Sequence, residues 1–77
     1  MLKDLLEYLA KSLVDYPDEV HEEATDTDTT VGLELSVAKD DVGKVIGKQG
    51  RIARALRTIV KASAVRDGKR AIVEIVD

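Results

Sequence analysis

The chain has no cysteine, no tryptophan and no phenylalanine, and its 77 residues include one proline, one histidine and two tyrosines. Each scarcity excludes something. Without cysteine there is no disulfide to staple a small domain, and thiol chemistry and thiolate metal sites fall away with it. The lone histidine, His21, has no second imidazole or thiol with which to share a metal and reads as a plain strand residue. No serine is placed beside a base in any way that points to an activated nucleophile, so no enzyme activity, no cofactor and no metal are expected.

Long apolar runs are missing too. Nothing approaches the ~20 apolar residues of a membrane span, and "MLKDLLEYLAKSL" is interrupted by Asp4, Glu7 and Lys11 where a secretory leader would be continuously apolar. The expected setting is soluble and cytoplasmic. Seventy-seven residues make one domain, 1–77, of a size that buries only about 60 % of its unfolded surface. A core that thin relies on regular packing or on association with another chain.

Net charge is −3, yet it is unevenly spread. Residues 1–38 carry two basic side chains, Lys3 and Lys11, against ten acidic ones, whereas residues 39–70 carry ten basic against three acidic. The stretch "GKVIGKQGRIARALRTIVKA", Gly43 to Ala62, holds three glycines and six positive side chains and no acid. An anion-binding protein needs only a local field of the right sign, not a basic whole.

Periodicity gives the elements. In "LKDLLEYLAKSLVDY" Leu2, Leu5, Leu6, Leu9 and Leu13 recur at helical spacing, predicting a helix over 2–15 that Pro17 stops. "VHEEAT", residues 20–25, is a strand candidate, followed by the polar turn "DTDTT" without its usual glycine. "TVGLELSV" alternates Val31, Leu33, Leu35 and Val37 with small or polar residues, a half-buried strand pairing with the first as a hairpin. "KDDVGKVIG" reads as a short helix capped by Asp40 or Asp41. From Arg51 to about Ala64 a second helix sets Ile52, Leu56, Ile59 and Val60 on one face and Arg51, Arg54, Arg57 and Lys61 on the other. "RDGKR" turns, and "RAIVEIV" is the last strand. "DEVHEEATDTD" is rich in carboxylates but lacks the glycine and spacing of a calcium loop, and reads as a solvated acidic edge. Helix, two strands, two helices and a strand predict an α+β layer sandwich, a three-stranded sheet with helices on one face.

Between the two central helices, Gly47 and Gly50 bracket Lys48 and Gln49. Glycines there permit unusual backbone angles and clear side chains from the path of a partner. The start of the following helix brings unpaired N–H groups and a dipole that favours an anion. Arg51 in that first turn opposes the dipole, and no glutamate at i±4 relieves the arginine stripe, a pattern built for phosphate. Gly43, inside a short helix, serves either close packing or room for a base.

"VIGKQGRIARAL" closely resembles the I-G-x-x-G-x-x-I signature of KH domains. The element order resembles their type II form, α-β-β-α-α-β. With "YPDEV", "DDVGKVIGKQG" and the closing "AIVEIVD", the chain is similar throughout to the small single-KH bacterial proteins of the KhpA family. That resemblance implies single-stranded RNA held in a cleft, with a glycine turn clamping about four nucleotides of backbone, and a role as post-transcriptional regulator or RNA chaperone. By position it makes Gly47, Lys48, Gln49 and Gly50 the clamp, and Gly43, Lys44, Val45, Ile46, Arg51 and Arg54 the remaining RNA-binding residues. It further implies a homodimer, or a heterodimer with a larger KH-containing protein. Modules that stack bases on exposed aromatics are a poor fit to a chain whose only aromatics are Tyr8 and Tyr16, both outside the basic half. Two other readings stay open: a helix-turn-helix reader of duplex DNA, and a structural subunit whose basic face docks on an acidic protein.

Overall fold

The structure is a computed structural model that describes residues 2–76. Helix α1 (Leu2–Leu13) leads through a single turn at Pro17–Glu19 into strands β1 (His21–Asp26) and β2 (Thr30–Ser36). A turn at Lys39–Asp41, helix α2 (Val42–Ile46), a tight turn at Lys48–Gly50, helix α3 (Arg51–Arg66) and strand β3 (Arg70–Val76) follow. The strands lie in the order β1-β2-β3, the first pair antiparallel and the second parallel. A parallel partner for β2 requires a crossover, and α2 and α3 make it. This is the expected α+β architecture.

Leu6 and Ala10 of α1, Val31, Leu33 and Leu35 of β2, Leu56, Val60 and Ala64 of α3, and Ala71 and Val73 of β3 form one apolar cluster between sheet and helices. The β2 and β3 residues alternate, as the period of a half-buried strand requires. On α3 the buried face is Ala53, Leu56, Val60 and Ala64; Ile59, expected on that face, is 43 % exposed. Two alanines complete that buried face, and Ile59 lies at its boundary.

The hairpin turn that lacks glycine is closed by a threonine. Thr27 N–H donates to Thr30 O at 2.9 Å and Thr30 N–H donates to the Thr27 hydroxyl at 3.0 Å, so a side chain replaces the usual backbone trick. Helix α1 ends at Leu13, two residues before its expected end. The N–H groups of Asp15 and Tyr16 donate instead to the carboxylate of Asp41, at 3.2 and 3.0 Å. That bond also corrects the expected cap: Asp41 precedes α2, but no side chain caps α2, because the Asp41 carboxylate is turned toward the segment leaving α1.

Strand β1 puts Glu22 opposite Leu35, on the face that packs under α1. Both its carboxylate oxygens are buried and meet no hydrogen-bond donor. Burial, with Glu7 and Asp4 of α1 adding to it against Lys3 and Lys11, raises its pKa from 4.5 to about 7. A carboxyl with a raised pKa in the folded state holds its proton more tightly there. Its contribution to stability is therefore complete below pH 4.5 and lost as pH climbs through about 7. After discounting for the partial solvent access of the side chain, the loss is about 1–2 kcal/mol. Glu22→Gln should flatten the stability profile over that window and raise the melting temperature above pH 7 by roughly 5 °C. Thermal melts of both proteins at acid and alkaline pH check it, and parallel pH profiles would count against it.

Candidate nucleic-acid interface

Helix α2 has five residues, barely more than one turn, and a helix that short does not hold its own shape in water. It is pinned inward by Val45, fully buried. Val45, one of the expected binding residues, thus faces the core, because so short a helix needs its apolar side chain as an anchor. Ile46 is half-buried and Gly43 is exposed. A Cβ at Gly43 would meet nothing within 4 Å, so close packing does not account for this glycine.

The two loop glycines have different physical grounds. Gly47 ends α2 at φ 76°, ψ 175°, a region essentially closed to other residues, and a Cβ there would lie 2.6 Å from Ile52 Cγ1 and 2.9 Å from Ile52 Cβ. Gly50, at φ 74°, ψ 17°, has the left-handed conformation but open space around it. Gln49 is left-handed as well, φ 57° and ψ 25°. These angles reverse the chain so that Lys48 and Gln49 stand out into solvent.

Within the loop, Gly47 N–H donates to Gly43 O at 2.9 Å, Gly50 N–H to Gly47 O at 3.2 Å, and Arg51 N–H to Lys48 O. The first amide of α3, that of Arg51, is thus engaged. Gly47, at φ 76° and ψ 175°, takes the chain out of the α2 ladder before Lys48 and Gln49. The loop lies immediately in front of the sixteen-residue α3, whose first turn has no acidic residue. An anion there meets the positive end of the helix dipole.

The charged side chains divide. Lys48, Arg51 and Arg54 are exposed, and among the described residues none of them forms an ion pair. Lys44 is committed: its ammonium bonds the Asp15 carboxylate, which raises its pKa above the ordinary lysine value, and lies 3.7 Å from Asp41 Oδ1. Arg57, part of the expected stripe, is half-buried and donates from Nε to the carbonyl of Val73 at 3.2 Å, tying α3 to the edge strand β3. Beside α2, Ser36, Val37, Lys39, Val42 and Val76 line a largely apolar concavity of about 690 Å³. Sequence reasoning missed it, because its walls come from three separate parts of the chain.

On the open face of the sheet, Glu23, Glu34 and Glu74 stand in one row across the three strands, all exposed. Like charges directly opposite are mildly destabilising. Among the described residues there is no cluster of three or more His, Cys, Asp or Glu side chains arranged to hold a metal, and no helix is long and apolar enough to cross a membrane.

A helix and two strands, a G-x-x-G turn between two helices, and a final strand parallel to its neighbour define a KH domain of type II. The chain belongs to the KhpA/KhpB KH-domain family, whose model matches residues 3–75. It is 57 % identical over 75 residues to the RNA-binding protein KhpA of Clostridium acetobutylicum, covering 97 % of this chain and 100 % of that one. It is 51 % identical over 76 residues to the protein of the same name from Aquifex aeolicus, covering 99 % and 96 % of the two chains. For that of Bacillus subtilis the identity is 47 % over 76 residues, covering 99 % and 94 %. Among solved structures, Era of Aquifex aeolicus bound to GDP and aluminium fluoride superposes with a TM-score of 0.70 at 13 % identity, covering 96 % of this chain and 29 % of Era. Era in complex with MgGDPNP and a piece of 16S ribosomal RNA matches with the same TM-score, over 28 % of its chain. At 13 % identity these two show the fold alone, and this chain spans less than a third of Era.

Proposed function

We propose that this protein binds single-stranded RNA, gripping the phosphodiester backbone at Gly47–Gly50 with Lys48, Arg51 and Arg54 around it. The observation that carries the reading is the loop that Gly47 and Gly50 bend into solvent at the head of α3, beside three cations, Lys48, Arg51 and Arg54, that pair with no carboxylate among the described residues. The relatives' name, RNA-binding protein, agrees with it. Gly43 leaves open space over α2 for a base, and Val42 and Val76 offer aliphatic surface to pack one. With no exposed aromatic in the basic half, backbone contact and aliphatic packing supply the affinity, and base selectivity is modest. The row of Glu23, Glu34 and Glu74 repels nucleic acid from the opposite face.

The setting that fits is cytoplasmic post-transcriptional regulation or RNA chaperoning, by binding without catalysis, from one domain over the length of the chain. Association with a second copy or a larger KH-containing protein is supported by the apolar side chains left uncovered, Ile59, Val65 and Ile72 among them.

A titration of the isotope-labelled protein with a short single-stranded RNA tests the core of this reading. Amide signals of Gly47 to Arg51 should move first. Three phosphate contacts give a salt slope near −2, so a fourfold rise in salt should weaken binding roughly twentyfold. Salt-independent binding, or duplex DNA that outcompetes the RNA, would overturn it.

A further inference from the structure

Among the described residues, Asp41 is the only charged residue that is buried, with no exposed surface at all. Its two oxygens take the N–H groups of Asp15 and Tyr16, at 3.2 and 3.0 Å, and Lys44 Nζ stands 3.7 Å from Oδ1. A buried carboxylate is tolerated only where donors surround it, and here they come from the segment leaving α1, 25 and 26 residues away in sequence. The next residue, Val42, begins α2, and five residues later the glycine loop begins. A helix of five residues has little rigidity of its own. Its direction is set by what holds its two ends and its inward face: Val45 in the core, and Asp41 at its entrance.

We propose that Asp41 is the positioning residue of the phosphate clamp, fixing the angle at which α2 presents the Gly47–Gly50 loop to a ligand; this rests on the RNA-binding reading above. The bonds to Asp15 and Tyr16 register α2 against the end of α1, so the loop is held open-handed before RNA arrives. Lys44 completes the lock. Its ammonium bridges Asp15 and Asp41, so its charge is spent on holding the loop's support and not on phosphate. Removing the anchor leaves the loop competent for part of the time only, and apparent affinity falls by that fraction.

The test uses the full chain with Asp41→Asn and Asp41→Ala, isotope-labelled, first free and then titrated with a mixed-sequence single-stranded RNA octamer, well below the melting temperature. Asp41→Asn keeps one acceptor oxygen and loses the other. In the free protein its Gly47 to Gly50 amides should shift, and Asp41→Ala should carry them further along the same line, the signature of a shifting population. Octamer affinity should fall about tenfold when the competent state drops to a tenth, with the salt slope unchanged because the same phosphates are contacted. Mere destabilisation would leave the loop signals of the folded form where they were. Should Asp41→Ala fail to fold, Asp41→Asn carries the test. Loop amides that stay put in Asp41→Asn while those of Asp15 and Tyr16 move would overturn the proposal. If the unmutated protein ignores the octamer, the RNA reading fails, and the loop shifts of the free variants still decide the role of Asp41.

Discussion

Replacing Lys48 and Gln49 together by aspartate should lower affinity for single-stranded RNA about a hundredfold and leave the fold intact. Both side chains are exposed and, among the described residues, neither has a hydrogen-bond or ion-pair partner, so their loss leaves no buried group without a partner. Aspartate tolerates the left-handed backbone of position 49 better than most residues. A carboxylate ahead of α3 also favours the helix dipole by about 0.3–1 kcal/mol, so the variant should melt no lower than its parent. Against RNA the effect is of opposite sign. One cation disappears and two anions enter where phosphates must sit, and each close pair of like charges costs between about 1 and 4 kcal/mol, depending on how much water remains. A total near 3 kcal/mol corresponds to about a hundredfold in dissociation constant. A binding isotherm and a thermal melt on the same preparation separate the two effects. Undiminished affinity would mean that the ligand, if RNA, lies elsewhere.

Strong periodic signals survived the passage from sequence to structure. β2 and β3 alternate as read, and the turn at Gly47–Gly50 and the helix after it lie where glycine spacing and the arginine stripe put them. Missed features depend on partners distant in sequence. Asp41 was read as a local cap because its neighbours in sequence form a helix start, and nothing local reveals two N–H donors at 15 and 16. Helical spacing puts Ile59 on the face of Leu56 and Val60, yet that buried face is completed by Ala53 and Ala64. Val45 belongs to the motif that the resemblance makes an interface, and it also fills the inward face of a one-turn helix, which must be apolar. Glu22 had left a trace: alternation in "VHEEA" sets it on the same face as Val20 and Ala24, a carboxylate between two apolar positions. The glutamate row was invisible, since it exists only in the register that pairs Glu34 with both Glu23 and Glu74.

The two loop glycines should respond very differently to the same methyl group. Gly50→Ala adds a side chain in open space, and its cost is the left-handed backbone alone, about 1–2 kcal/mol. Asparagine at that position should cost less. Gly47→Ala must adopt a region of backbone angles nearly closed to side chains, worth about 1–3 kcal/mol, and its methyl would press on Ile52, where overpacking adds a similar amount. The sum, about 2–6 kcal/mol, is a large share of the stability of any domain this small, and should lower the melting temperature by roughly 20 °C. Combining Gly47→Ala with Ile52→Ala isolates the steric part, since the second change removes the atoms the first one strikes. The pair should be less destabilised than the two singles added, by about 1–2 kcal/mol. The backbone part should persist in the double variant, because no change at Ile52 alters the angles at position 47. Strict additivity, or equal losses at Gly47 and Gly50, would show that the packing of Ile52 against the loop does not hold the turn in its present shape.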